Sequence, residues 1–296
     1  MVPSSRSRFI DIRGLRYHLR EWGPSGAPQL FMLHGWLDVS ASFQFIVDAF
    51  KKGWHVIAPD WRGCGLSERA SGTNGYRFID FVADLDVIIE VCKTDASVYL
   101  VGHSMGANVA CHYAGIRPDL VRRMVSLEGF GLLLRNGDEN PAGTPARLAR
   151  WLDELRAVRP FTRFATKDEV IAELHRLNPR LCEDRARYLC EHWYERSAEG
   201  SFQRLGDPTY KVREPGRYRQ AELDALWAAV TAPVLHISAI HNSVHSSEAE
   251  LEAAARFRAR LQAFRDFREV IVGDAGHMVH HDQPEKLASF IEEFCC

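Results

Sequence analysis

Val98-Tyr99-Leu100-Val101-Gly102-His103-Ser104-Met105-Gly106-Ala107-Asn108-Val109-Ala110 is the stretch on which the fold turns. Its first four residues read as a short buried strand, and its last four as the opening of a helix. Between them stands Gly-x-Ser-x-Gly. The pentapeptide alone occurs by chance in many chains, where it is an ordinary glycine turn. Between a strand and a helix it has the form of a nucleophile elbow, a tight turn that holds its serine in a strained conformation. Glycines two residues to either side avoid clashes with neighbouring backbone, and the helix N-terminus adds a field that favours an anion.

Outward from this unit, short apolar runs alternate with helical patterns, which predicts parallel βαβ units. Phe9 to Ile12 and Arg16 to Trp22 read as an opening antiparallel hairpin joined at Gly14. Leu30 to Leu33, His55 to Ala58, Ser97 to Val101 and Val121 to Leu127 read as strands, and Tyr76 to Cys92 as a helix. The alternation then stops, and residues 131–224 read as helices and loops only. Thr144-Pro145 has the form of a helix start, and Thr166-Lys167-Asp168-Glu169 that of a capping box. The βα pattern resumes with a strand at Pro233 to Ala239, a helix from about Ser247 to Phe264, a strand from Phe267 to Val272 and a helix from about Pro284 to Phe294. The expected architecture is an α/β core of residues 1–130 and 225–296, interrupted by a helical cap at 131–224.

The bulk properties fit a soluble globular chain. It has 296 residues and a formal net charge of -2, which gives no reason to expect nucleic acid or an anionic membrane as partner. No apolar run approaches the ~20 residues of a membrane span, and no signal peptide is visible at Met1 to Arg8. Seven scattered cysteines, odd in number and without CxxC spacing, argue against a disulfide framework or a zinc site and for reduced thiols in a cytoplasm. His241 and His245 have i, i+4 spacing but lack the glutamate of an H-E-x-x-H motif. Neither a metal nor a cofactor is expected.

Several loops together resemble the α/β-hydrolase superfamily over nearly the whole chain outside the insertion. Leu33-His34-Gly35-Trp36 resembles the family's H-G-x loop after the third strand. Pro59-Asp60-Trp61-Arg62-Gly63-Cys64-Gly65-Leu66-Ser67 resembles its D-x-R-G-x-G-x-S loop after the fourth. Gly273-Asp274-Ala275-Gly276-His277 resembles the loop presenting the catalytic histidine, and Gln283-Pro284-Glu285 the start of the last helix. Within the superfamily the chain is most similar to serine-hydrolase-like bacterial members. The resemblance implies the α/β-hydrolase fold, a mostly parallel sheet with helices on both faces and a helical cap after the sixth strand.

It also implies Ser104 as nucleophile and His277 as general base, with His280 and His281 the nearest rivals for that role. A serine hydroxyl is a poor nucleophile until a neighbour takes its proton. For the acid, most members place an aspartate after the seventh strand, where this chain has Asn242. A neutral amide cannot stabilise an imidazolium as a carboxylate does. Branches such as the haloalkane dehalogenases carry the acid after the sixth strand, and here Glu128 ends that strand, so Glu128 is the expected acid. Asp274 sits only three residues before His277 and is expected to shape that loop. The backbone N–H groups of Trp36 and Met105 are implied as the oxyanion hole. Trp36, Asp38 and Trp151 are expected near the substrate, although Asp38 could equally cap the helix around Ser42.

These residues imply hydrolysis of a carboxylic ester or related small acyl compound through an acyl-enzyme. Ser104 argues against haloalkane dehalogenases and epoxide hydrolases, which use an aspartate nucleophile. Three alternatives share the fold: a carbon–carbon bond hydrolase, a cofactor-independent ring-cleaving dioxygenase and a ligand receptor without turnover. The dioxygenases share the HGW loop but carry further histidines where this chain has Asp38 and Met105.

Overall fold

The structure, a computed structural model, describes residues 4–70, 75–130, 141–216, 219–239 and 248–296, the side chains of 141 and 248–254 excepted. His241, Asn242 and His245 lie outside the described residues.

The opening hairpin pairs β1 (Arg6–Ile12) with β2 (Leu15–Trp22). There follow β3 (Gln29–Leu33), α1 (Gln44–Ala49), β4 (His55–Pro59), α2 (Phe78–Cys92), β5 (Val98–His103), α3 (Met105–Ile116) and β6 (Val121–Leu127). After the insertion come α7 (Gln220–Ala229), β9 (Val234–Ala239), α8 (Glu248–Leu261), β10 (Phe267–Val272), α9 (Val279–Asp282) and α10 (Pro284–Cys295). Eight strands form one sheet in the order β1-β2-β4-β3-β5-β6-β9-β10, antiparallel at β1-β2-β4 and parallel from β4 onward.

The central strands are apolar because both faces are covered. Every residue of β3 and β4 is buried. Side chains alternate across a strand, so Phe31, Leu33 and Leu100 join one core cluster with Phe81, Leu85 and Ile88 of α2 and Val109 of α3. Leu30, Met32 and Val101 join the other, with Ile46 of α1 and Leu287 and Ile291 of α10. The exposed pattern of β1 is that of a sheet edge.

The insertion contains α4 (Thr144–Arg156), α5 (Lys167–Leu177) and α6 (Glu183–Trp193). The α5 start follows the sequence signal: Thr166 Oγ1 accepts the Glu169 N–H at 3.2 Å. The Glu169 carboxylate accepts the N–H of Ala165. Two features correct the sequence reading. A short antiparallel pair, β7 (Tyr194–Arg196) and β8 (Phe202–Arg204), stands where only helices and loops were expected. Strands of three residues are too short to leave a periodic signal. The expected boundary at 224/225 falls inside α7, whose Leu223 and Trp227 are buried; Trp227 stacks against Phe264 of the core.

The insertion sits on the loop after β3. Val39 and Ala41 of the core share a buried cluster with Val170, Leu174, Leu189 and Trp193. Arg204 donates twice to the Leu37 carbonyl, at 2.5 and 3.2 Å, and the Trp36 indole N–H donates to the Tyr210 carbonyl at 3.3 Å. No helix among the described residues is long and apolar enough to cross a membrane. All seven cysteines are free.

Candidate active site

Ser104 lies at the end of β5, with φ 51° and ψ -113°, outside the regions ordinary residues favour. The positions two residues to either side must be glycine. A Cβ on Gly106 would lie 2.1 Å from the Leu33 carbonyl oxygen, and one on Gly102 would lie 2.5 Å from the Ala107 backbone. The turn is therefore wedged between β3 and the first turn of α3. The Ser104 N–H donates to the Leu127 carbonyl at 2.8 Å, which ties the elbow to the end of β6.

One residue beyond Leu127 stands Glu128, also at positive φ (54°). Its N–H donates to the Ile237 carbonyl at 2.9 Å, and its Oε1 accepts the N–H of Ala239. Two carboxyl ends of strands thus fix this carboxylate from both sides. His277 arrives from the loop between β10 and α9. Its Nε2 is 3.0 Å from Ser104 Oγ, and its Nδ1 is 3.4 Å from Glu128 Oε2. The Glu128 side chain is 6% exposed and that of His277 48% exposed, so a buried carboxylate faces an imidazole open to solvent.

The loop after β3 lies alongside. A Cβ on Gly35 would come within 3.3 Å of Ser104 Cβ, so this loop touches Ser104. His34 holds it: its Nε2 accepts the Trp61 N–H at 2.9 Å, and its own carbonyl accepts the Trp61 indole N–H at 2.9 Å. Burial pushes the His34 pKa down, which keeps the ring neutral and able to accept. Met105 opens α3, so its N–H has no acceptor within the helix. The backbone N–H of Trp36 also has no backbone acceptor among the described residues.

A sequence model described as the alpha/beta hydrolase fold matches residues 28–284, most of the chain. The chain belongs to the α/β-hydrolase family. A serine hydrolase-like protein of Danio rerio is 35% identical over 112 residues, which is 38% of this chain and 34% of that protein. The chain thus spans about a third of that relative's length. The 2-(acetamidomethylene)succinate hydrolase of Mesorhizobium japonicum is 28% identical over 290 residues, covering 97% of this chain and 94% of that one. Among solved structures, the thioesterase domain from the curacin biosynthetic pathway superposes with a TM-score of 0.82 over 98% of this chain and 99% of its own, at 23% identity, a likeness of fold.

The other family motifs hold this α/β-hydrolase core together. Asp60 accepts from His18 Nδ1 at 2.8 Å, the Ser40 N–H at 2.7 Å and the Leu66 N–H at 2.9 Å. Its burial opposes ionisation, yet the His18 bond and nearby imidazoles bring its pKa down to about 2. Arg62 makes a two-pronged pair with buried Asp84, both contacts at 2.6 Å. Both residues lock the loop after β4 to its neighbours.

The remaining expected site residues sort clearly. Asp38, expected near the substrate or as a helix cap, is 2% exposed. Its Oδ1 accepts the Val39 N–H at 2.7 Å and the Ser42 hydroxyl, which ties it to the short helix Ser40–Phe43 without capping it. Trp36 is exposed beside the elbow, whereas Trp151 is half-buried on α4, a helix with no fully buried residue described. Asp274 is exposed and at φ 54°, and its carbonyl accepts from Gln283 at 3.1 Å; it shapes the loop. His280 and His281, the rivals for the base, are buried and turned to Asp38 and to Trp193.

One contributor escaped the sequence reading. His103, the residue before the nucleophile, donates from Nε2 to the His277 carbonyl at 2.8 Å. Burial holds its pKa well below the ordinary value, so it is a neutral tether for the histidine loop. The signal available was a polar residue inside a buried strand end. A second buried group, Asp38, His280 and His281, brings three metal-ligating side chains within 4.8 Å of one another.

Proposed function

We propose that the chain is a serine hydrolase that cleaves a carboxylic ester or related acyl compound through Ser104, His277 and Glu128. The observation behind this reading is the continuous contact from Ser104 Oγ to His277 Nε2 and from His277 Nδ1 to Glu128 Oε2. Nδ1–H donates to the carboxylate, which leaves Nε2 bare toward the serine. The Ser104 oxygen bonds to the carbonyl carbon as its proton passes to Nε2. The tetrahedral oxyanion lies against the N–H groups of Trp36 and Met105; losing one such donor costs about 3–4 kcal/mol. Its collapse breaks the bond to the leaving group, which takes the proton from His277 as alcohol. Water then gives His277 a proton as its oxygen attacks the acyl-enzyme, and that proton returns to Ser104 as the carboxylic acid departs. Glu128 stays ionised and stabilises the imidazolium.

The insertion serves as a cap that selects the acyl group, a role supported by its grip on the loop after β3. The similarity to 2-(acetamidomethylene)succinate hydrolase makes an amide a candidate scissile bond beside an ester, with an amine as its leaving group. The free thiols fit a reducing compartment, and the cytoplasm is the proposed location. Pre-steady-state kinetics with p-nitrophenyl acyl esters of increasing length test the reading. The expected result is a burst of about one nitrophenolate per chain with a preferred acyl length. Absence of turnover on every ester, with the corresponding aryl amides equally inert, would overturn it.

A further inference from the structure

Beneath the catalytic loops, Asp38 and the adjacent pair His280-His281 form a second constellation. Asp38 comes from the loop after β3 and the histidines from α9, which follows His277 directly. All three are buried: Asp38 2%, His280 0% and His281 2% exposed. One ligating atom from each lies within 4.8 Å of the others. Asp38 Oδ2 and His280 Nε2 are 3.5 Å apart. Asp38 Oδ2, both ring nitrogens of His280 and Nε2 of His281 are buried without a hydrogen-bond partner. A buried polar atom left unpaired typically costs about 1–3 kcal/mol, so atoms without a hydrogen-bond partner converging from three side chains need an explanation.

We propose that Asp38, His280 and His281 form a binding site for a divalent transition metal of the zinc class, separate from Ser104, His277 and Glu128. Two imidazoles and one carboxylate are a donor set that suits zinc and its neighbours, and a calcium-type ion prefers oxygen alone. Bonds of about 2.0–2.1 Å at a tetrahedral angle put ligand atoms about 3.4 Å apart. The Asp38–His280 separation already matches, and His281 closes the rest by side-chain rotation. The ion takes one atom from each side chain and so satisfies three of the four unpaired atoms, leaving one ring nitrogen of His280. It also staples the loop that carries Trp36 to the loop that carries His277. The other Asp38 oxygen is anchored by the Val39 N–H and the Ser42 hydroxyl, which fixes the carboxylate toward the histidines.

The test uses the full chain after treatment with a chelator, and Zn2+ as probe. Calorimetry is expected to give one tight equivalent and a raised melting temperature. His281→Gln and Asp38→Asn are each expected to weaken binding by at least about 10-fold, as losing even an outer-shell partner commonly does. A Cys182→Ser, Cys296→Ser variant and a His277→Gln variant are expected to keep it. Zinc-edge X-ray absorption on the wild-type protein decides the ligand set even where a variant fails to fold. Two imidazoles with oxygen and no sulfur is the expected shell. Failure to bind stoichiometrically at micromolar Zn2+, affinity unchanged in both folded variants, or a sulfur-containing or single-imidazole shell would overturn the site. None of these readouts depends on hydrolysis.

Discussion

Replacing Glu128 by glutamine removes a charge and leaves the shape, and the surroundings dictate how the amide must sit. The Ala239 N–H points at Oε1 and needs an acceptor, so the glutamine oxygen takes that side. The amide NH2 then faces His277 Nδ1. A donor there forces Nδ1 to accept, which moves the imidazole proton to Nε2, facing Ser104. That tautomer cannot take the serine proton. The charge loss adds to this. Across 3.4 Å the attraction between imidazolium and carboxylate is about 1 kcal/mol in water and about 5 kcal/mol at an effective dielectric near 20. The pair lies between these limits, because its histidine is half exposed and its carboxylate buried. About 3 kcal/mol is about 10²-fold in rate, and the tautomer penalty brings the loss toward the roughly 10⁴-fold that an aspartate-to-asparagine change costs a serine-protease triad. Turnover of Glu128→Gln on an activated ester is therefore expected to fall about 10²- to 10⁴-fold, with circular dichroism confirming the fold. Turnover within a few-fold of wild type would refute the reasoning and turn attention to Asp274.

Other consequences follow from particular contacts. Gly106→Ala sets a Cβ against the Leu33 carbonyl and should cost about 3 kcal/mol by denaturant unfolding, whereas Gly273→Ala, with no atom within 4 Å, should be near neutral. Equal stability of the two would contradict the packing of the elbow. Burial pushes His236 down to about 4 from its ordinary 6.5, so between these values the unfolded chain binds the proton and the folded one does not. Its contribution is complete above pH 6.5 and is lost as pH falls toward 4, about 2 kcal/mol between pH 8 and pH 5. Urea unfolding at both pH values should show that extra loss in wild type relative to His236→Gln. Arg204→Ala frees the Leu37 carbonyl and should lower kcat/KM about 10-fold, since a charged hydrogen bond is worth about 1.5–3 kcal/mol; unchanged kinetics would separate the cap from the oxyanion loop.

The core was legible because its signals are local. The β5–α3 junction was marked by four apolar residues, two glycines and a serine, and the strands flanking it fell within one or two residues of where the periodicity put them. Glu128 was proposed as the acid from its place at the end of β6, where parallel strands bring their carboxyl ends together. What stayed hidden depends on contacts between distant segments. Asp38 read as a residue near an entrance, and only the approach of α9 from the other end of the chain shows that it is enclosed. His103 lay in plain view inside the elbow motif, yet its tie to the His277 carbonyl comes from the folding-back of a loop 174 positions away. The β7–β8 pair is held by its partners in the insertion and not by any pattern of its own.

The central claim is that Ser104 is an activated nucleophile, and covalent labelling tests it most directly. The wild-type chain, treated with a fluorophosphonate probe and digested, should yield one major adduct in the peptide containing Ser104. Ser104→Ala, folded by circular dichroism, should yield none. An adduct elsewhere, no adduct on the wild type, or labelling of Ser104→Ala at the wild-type rate would contradict the account.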